Sequence, residues 1–371
     1  MMKSTIYIED RYCISSEELS QIDRAASIPY FAELKENEQL AIRFAWQWLR
    51  GDASFEQATS GSTGEPKTIT LGRDQMMASA RMTLAALQLT DGHTSLLCLH
   101  PQYIGGKMMI VRSLLAGMNL VITDPSSTPL QHLPFLPDFA AMVPLQIQTL
   151  LEQEQADRLN QMQAIIIGGA PVSRALENMI AQLLTLPVYS TYGMTETVSH
   201  IALRKLTQPQ ASAFFHTLGD TQITTDARGC LQVKGSITQQ QWITTNDLIE
   251  LHDQQQFRWL GRHDFVINSG GVKISPEAVE AALEPLLASA GFEGRFLVTS
   301  LPDERLGERV ILLIEGARPT TALEKNVLRQ AALALPLYQV PKAIYSIPAF
   351  AETPTGKIQR QATRQFILKQ R

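Results

Sequence analysis

Apolar and polar positions fall into distinct rhythms along the chain. From residue 59 to about 205, short continuous apolar runs (Ser95-Leu96-Leu97-Cys98-Leu99, Leu120-Val121-Ile122, Ala164-Ile165-Ile166-Ile167) are separated by helical stretches such as 105–117 and 172–184. A strand with no polar face must be covered on both sides, so this rhythm predicts an α/β layer around a buried, largely parallel sheet. From 219 to 260 the segments shorten, and turn signals such as Asp226-Ala227-Arg228-Gly229 and Asp253-Gln254-Gln255-Gln256 separate β-rich pieces. That section predicts antiparallel hairpins, a β-rich subdomain of the α/β unit. After Gly261-Arg262-His263-Asp264 come a strand, a Gly270-Gly271 turn, a helix capped at Ser275-Pro276, strands at 295–300 and 309–314, and a helix near 320–334. This reads as a separate small α+β domain. At the other end, residues 15–50 read as helix, opened by a Ser15/Glu18 capping box, with apolar faces from Phe44, Trp46, Trp48 and Leu49 before Gly51.

Composition narrows the function. Of 371 residues, 44% are hydrophobic and 18% charged, enough for a substantial core. Lys and Arg total 32 against 36 Asp and Glu, a net charge of -4, so there is no polycation for a nucleic-acid backbone to attract. Cys13, Cys98 and Cys230 have neither zinc-site spacing nor the pairing of a secreted scaffold. Glu9 and Asp10 arrive before any signal-peptide apolar run forms, and no segment approaches the roughly 20 apolar residues of a membrane span. The expectation is a soluble cytoplasmic protein with small-molecule ligands.

Chemistry concentrates in Thr59-Ser60-Gly61-Ser62-Thr63-Gly64-Glu65-Pro66-Lys67. Glycines let successive backbone N–H groups point into one concavity, the hydroxyls add donors, and Lys67 adds charge: a cradle for a polyphosphate. Glu65 and Pro66 separate Lys67 from the second glycine, so this is not a Walker loop, and a polar surface turn has the same composition. The stretch resembles, almost residue for residue, the phosphate loop of the adenylate-forming enzymes, which include acyl-CoA synthetases, luciferases and peptide-synthetase adenylation domains. Further motifs follow in that family's order. Thr191-Tyr192-Gly193-Met194-Thr195-Glu196-Thr197 is similar to its adenine and magnesium motif, and Thr245-Asn246-Asp247-Leu248 to its ribose motif. Gly261-Arg262-His263-Asp264 is similar to its hinge, and Pro354-Thr355-Gly356-Lys357-Ile358 to its C-terminal lysine motif. The resemblance spans 59–360; most members carry a longer N-terminal subdomain than this chain has.

The resemblance implies an AMP-forming acid–thiol ligase using ATP, CoA and Mg²⁺. It divides the chain into 1–262 and a mobile 265–371, hinged at 263–264. Glu196 would ligate Mg²⁺ and Thr195 would meet a phosphate oxygen. Tyr192 and Gly193, with Gly168-Gly169-Ala170, would form the adenine site, and Asp247 with Arg262 the ribose site. Lys357 would bridge the α-phosphate and the attacking carboxylate, Asp264 would be the pivot, and Gly270-Gly271 would let a pantetheine arm pass. Asn268 stands where luciferase-like members place a second lysine.

The acyl pocket is expected along Tyr103, Gly106, Lys107 and Arg112, with Ser199 and His200 as further lining. Lys107 and Arg112 are five positions apart, about 140° around a helix, so both cannot squarely face one pocket. A cation facing a fatty-acid pocket is costly, whereas a dicarboxylate needs one. Arg112 in Met-Ile-Val-Arg-Ser-Leu-Leu-Ala-Gly resembles the arginine of the o-succinylbenzoate:CoA ligases, the menaquinone-pathway members, with Tyr103 where many have histidine. Other aryl- or acyl-CoA ligases, stand-alone carrier-loading adenylation enzymes and a non-catalytic adenylate-binding module remain the alternatives.

Overall fold

A computed structural model describes residues 3–58, 68–292, 294–353 and 358–369. Among them a 13-stranded sheet forms the larger layer. Its parallel centre runs, in spatial order, Val188–Gly193, Ala164–Ile167, Phe139–Met142, Thr94–Leu97, Asn119–Ile122 and Thr5–Ile8. The continuous apolar runs are explained by two cores. Leu97, Leu120, Ile122, Ala164 and Ile166 face one cluster, while Leu96, Val121, Ile165 and Ile167 face another. Helices Glu36–Arg50, Arg73–Leu87 and Ile104–Ala116 cover the first face, and Pro144–Glu152 and Arg174–Leu183 the second.

One expectation needs correction. Residues 15–50 are not one helix: the Ser15/Glu18 capping box forms, but it opens only Ser16–Gln21, and two 3-10 turns intervene before Glu36–Arg50. Ile28 precedes Pro29, whose ring disfavours helical backbone at Ile28, and Ile28 is extended. The β-rich section forms the antiparallel hairpins expected of it. Phe215–Thr217 pairs with both His200–Lys205 and Gln256–Arg262, which makes the hairpins a continuation of the large sheet.

The larger sheet ends at Arg262 and a five-stranded sheet begins at Ile267, with the 3-10 turn His263–Phe265 between them. Helices Pro276–Ser289 and Thr321–Ala334 pack on one face of the smaller sheet and Arg360–Lys369 on the other. Ser275 caps Pro276–Ser289 through the Ala278 N–H and donates its own hydroxyl to the Leu260 carbonyl at 2.7 Å. Glu284, from the same helix, accepts the Arg174 N–H on both carboxylate oxygens at 3.1 Å. No helix among the described residues is long and apolar enough to cross a membrane.

Candidate active site

Gly168-Gly169-Ala170 follow the C-terminal end of strand Ala164–Ile167, where ligands of open α/β sheets bind. The neighbouring strand Val188–Gly193 brings Thr191 beside them, its hydroxyl donating to the Ile167 carbonyl at 3.0 Å. Tyr192 follows, its ring edge-on to Phe257 at 5.1 Å. The Tyr192 hydroxyl donates to Asp247 Oδ2 at 2.7 Å, and Trp259 Nε1 donates to Oδ1 at 3.2 Å. Burial, then the facing Asp247 carboxylate, holds the Tyr192 phenol well above its usual value. Asp247 lies opposite Arg262 in strand register, and Arg262 Nη2 reaches Asp264 Oδ2 at 2.6 Å. The Arg262 Nε is buried with no partner. Arg262 thus stands between Asp247, opposite it in the ladder, and Asp264, which it contacts.

After Gly193 the chain reverses sharply. A Cβ at Gly193 would lie 2.3 Å from the Ser199 carbonyl oxygen and 2.5 Å from His200 Cα, so only glycine permits the approach. Thr195–Thr197 form a 3-10 turn. The exposed Glu196 makes no hydrogen bond or ion pair among the described residues, and these contain no metal-type cluster. Val198 then has φ 65° and ψ -56°, with the Ser199 N–H donating to the Thr197 carbonyl at 2.7 Å. This is the rare positive-φ γ-turn, strained for a β-branched residue.

That turn brings Ser199 to helix Ile104–Ala116 and His200 to helix Arg73–Leu87. Arg112 is 1% exposed. Its Nη2 donates to Ser199 Oγ at 3.1 Å, its Nη1 lies 3.9 Å from Met109 Sδ, and its Nε has no partner among the described residues. Burial pushes the guanidinium down to about 9, with no carboxylate among the described residues to oppose it. It remains a cation at neutral pH. His200 Nε2 lies 3.0 Å from Thr83 Oγ1 and Nδ1 3.5 Å from Ser199 Oγ.

Lys107 has different neighbours from Arg112, as their angular offset on the helix implies. Its ammonium donates to the Glu56 carbonyl at 2.8 Å and lies 5.7 Å from the Phe44 ring centroid. Gly106 is buried against the chain: a Cβ there would meet the His100 carbonyl oxygen at 2.6 Å, which leaves it no pocket-facing side-chain space. Tyr103 sits at the helix N-terminus, edge-on to His100 at 5.8 Å. Strands Ser54–Ala58 and Thr68–Gly72 pair with Ala58 opposite Thr68. The segment they flank, Thr59 to Lys67, lies outside the described residues, as does Pro354 to Lys357. Gly270-Gly271 join two strands of the smaller sheet; a Cβ at Gly270 would meet Tyr338, while Gly271 faces open space. Asn268 is exposed, its N–H donating to Glu308 at 3.0 Å.

Ser79 and Thr83 were missed by sequence reasoning. They sit on the stripe Met76, Ala80, Leu84 and Leu87 of a buried helix face, and hydroxyls on an apolar stripe were the available signal.

With this geometry in view, the family model for AMP-binding enzyme matches residues 27–225, just over half of the chain. The chain belongs to this family. It is similar to an acyl-CoA synthetase (AMP-forming)/AMP-acid ligase II-like protein from Dyadobacter fermentans: 39% identity, 99% of this chain and 100% of that one, TM-score 0.61. A 2-succinylbenzoate–CoA ligase of Bacillus cytotoxicus is 25% identical over 369 aligned positions, covering 91% of this chain and 75% of that one. The O-succinylbenzoate coenzyme A synthetase of Bacillus subtilis, solved with ATP and magnesium ion, shares the fold at TM-score 0.70. It is 21% identical, over 83% of this chain and 69% of that one. The mixed α/β architecture is that of this family of AMP-forming enzymes.

Proposed function

We propose that this AMP-forming acid–CoA ligase acts on o-succinylbenzoate, activating the succinyl carboxylate while Arg112 pairs with the ring carboxylate. One observation carries the reading: a guanidinium buried to 1% exposure with a free Nε and no carboxylate partner among the described residues. An unpaired buried charge costs several kcal/mol, and a substrate anion with two oxygens relieves it with the planar geometry a guanidinium favours. The names of the Bacillus relatives support the same acid.

On this reading Thr59, Ser60, Gly61, Ser62, Thr63, Gly64 and Lys67 hold the polyphosphate. Gly168-Gly169-Ala170 and the Tyr192-Gly193 turn border the adenine. Asp247 and Arg262 take the ribose hydroxyls, Asp247 accepting and Arg262 donating. Thr195 donates to phosphate. Glu196 fits Mg²⁺, because it offers a free hard-oxygen ligand and this ion commonly takes one or two carboxylates together with phosphate oxygens. Bound there, the ion would offset polyphosphate charge. Lys357 neutralises charge at the α-phosphate as the acid oxygen attacks. Rotation about Asp264 then withdraws that lysine and brings Gly270-Gly271 to the acyl-adenylate, where thiol attack releases AMP.

The test is pyrophosphate release and thioester formation with o-succinylbenzoate, benzoates and fatty acids, with and without CoA. The expected outcome is a kcat/KM for o-succinylbenzoate at least about tenfold above any other acid, with thioester as product. Preference for a fatty acid would overturn the acid assignment. Adenylate formation without CoA transfer would point to carrier loading, and no turnover with any acid to an adenylate-binding module.

A further inference from the structure

We infer that His200 is a positioning residue for acid selection: held by Thr83 with its proton on Nε2, it sets the direction of the Ser199 hydroxyl and thereby the seat of Arg112. The inference rests on the reading that Arg112 meets the second carboxylate of the acid. It starts from a proton count. Thr83 has one hydroxyl hydrogen, and this goes to the Ser79 carbonyl one helical turn back, at 3.2 Å. Toward His200 Nε2, 3.0 Å away, Thr83 Oγ1 can therefore only accept, so Nε2 carries the ring proton.

A neutral ring then has a bare Nδ1. Burial, and secondarily the Arg112 charge, keep His200 well below the ordinary imidazole value, so the ring is neutral at physiological pH. Ser199 Oγ, 3.5 Å from Nδ1, donates its hydrogen there and turns its lone pairs to Arg112 Nη2 at 3.1 Å. In the opposite tautomer Nδ1–H would donate to Ser199, and the serine hydrogen would be free to rotate toward the cation. Ser79, Thr83 and His200 are all buried, so the chain of hydrogen bonds is shielded from competing water.

A second observation points to the same place. Strand His200–Lys205 pairs with Val188–Gly193 with a register shift between His200 and Ala202, directly after the strained turn at Val198. The turn sets Ser199 beside Arg112, and the irregularity falls at Ile201, directly after His200 has paired with Gly193. Backbone strain of this kind persists only where its surroundings enforce it.

The test combines a spectroscopic and a kinetic arm. In the full-length native protein, long-range ¹⁵N–¹H correlation of ¹⁵N-histidine, assigned by loss of signal in His200→Leu, should show the His200 proton on Nε2. A proton on Nδ1, or on both nitrogens, overturns the inference. Kinetically, the kcat/KM ratio of o-succinylbenzoate to the analogue lacking the ring carboxylate should fall about tenfold in His200→Leu, chiefly through KM. His200→Asn should recover most of it, because the amide oxygen can replace Nδ1 as acceptor. Thr83→Val, isosteric and linked to the acid only through His200, Ser199 and Arg112, should shift the tautomer and lower the ratio about threefold. Unchanged ratios in His200→Leu and Thr83→Val overturn the positioning role. A native enzyme with no preference for o-succinylbenzoate over the analogue would sink the acid assignment instead, and the tautomer measurement would still decide the relay.

Discussion

Two arginines, Arg112 beside the large sheet and Arg360 in the smaller unit, are withdrawn from water with opposite electrostatic outcomes. Arg360 Nη1 donates to Glu280 Oε1 at 2.9 Å, its Nη2 to Oε2, and Glu277 Oε1 lies 3.8 Å from its Nε. The Glu280 carboxylate also accepts the Val298 N–H at 2.7 Å. Burial works to lower the Arg360 guanidinium, but the charge and hydrogen bonds of Glu280 leave it raised. Arg112 has a serine and a thioether, and burial alone acts on it. One cation is neutralised inside the fold. The other has no carboxylate partner among the described residues, and on the function proposed above that difference separates an arginine that holds structure from one that reads a ligand.

The comparison breaks most visibly at Glu280. Glu280→Ala leaves Arg360 buried without its main partner and should cost about 3–5 kcal/mol of stability, read as a fall in denaturant midpoint. Adenylation should fall with it, because Arg360 opens the helix three residues after Lys357 and contacts the Phe265 ring, 5.6 Å away, next to the hinge aspartate. A loss below about 1 kcal/mol would mean that the pair is a surface-type bridge, and the contrast with Arg112 would lose its structural half.

Arg112 should behave the other way round. Arg112→Ala is expected to lower kcat/KM for o-succinylbenzoate by about 2–5 kcal/mol, some 30-fold to several thousandfold, and to cost far less for the analogue without the ring carboxylate. Arg112→Met, of similar length and apolar, should match or exceed the native protein in stability when no acid is present, since it removes an uncompensated charge. Conversely, o-succinylbenzoate should raise the melting temperature of the native protein and not that of Arg112→Met. A large stability loss in Arg112→Met would show that Arg112 is structural after all.

The contrast also shows what could be read in advance. Runs such as Ala164 to Ile167 declared a strand buried on both faces because each residue in turn had to suit one of two cores, and the structure supplies both. The angular offset between Lys107 and Arg112 followed from helix geometry alone, and the two side chains do find different neighbours. The pairing of Glu280 with Arg360 had no such signal: 80 positions separate them, and a glutamate and an arginine on helices read as solvated charges until strand Phe296–Asp303 brings both under cover. The break in 15–50 was visible only in Pro29, whose effect on Ile28 was outweighed in the pattern by the strong apolar stripe of Glu36–Arg50. Ser199 and His200 were legible as candidates to line the acyl pocket, but not which neighbours they would meet. That Ser199 meets Arg112 depends on the positive φ of Val198, a conformation that its side chain argues against.

Lys107 provides the smallest and sharpest test of the contrast. It lies on the same helix as Arg112 and is the other cation a dicarboxylate could meet. Burial lowers its ammonium, with the Glu56 charge opposing the shift, and its hydrogen bond goes to the Glu56 backbone. That bond ties the helix to strand Ser54–Ala58, which runs toward Thr59 to Lys67. Lys107→Met keeps an apolar stem and removes the ammonium that donates to Glu56 and lies 5.7 Å from the Phe44 centroid, so the expected loss is about 1 kcal/mol of stability, with any activity loss shared alike among acids. The ratio of kcat/KM for o-succinylbenzoate to that for the analogue should stay within about twofold of the native value, because a group engaged elsewhere contributes no differential binding. If that ratio fell as far as in Arg112→Ala, the helix would be presenting two cations to one carboxylate. Lys107 would then have to leave Glu56 when the acid binds, and the separation of a structural from a ligand-reading cation would fail on this helix first.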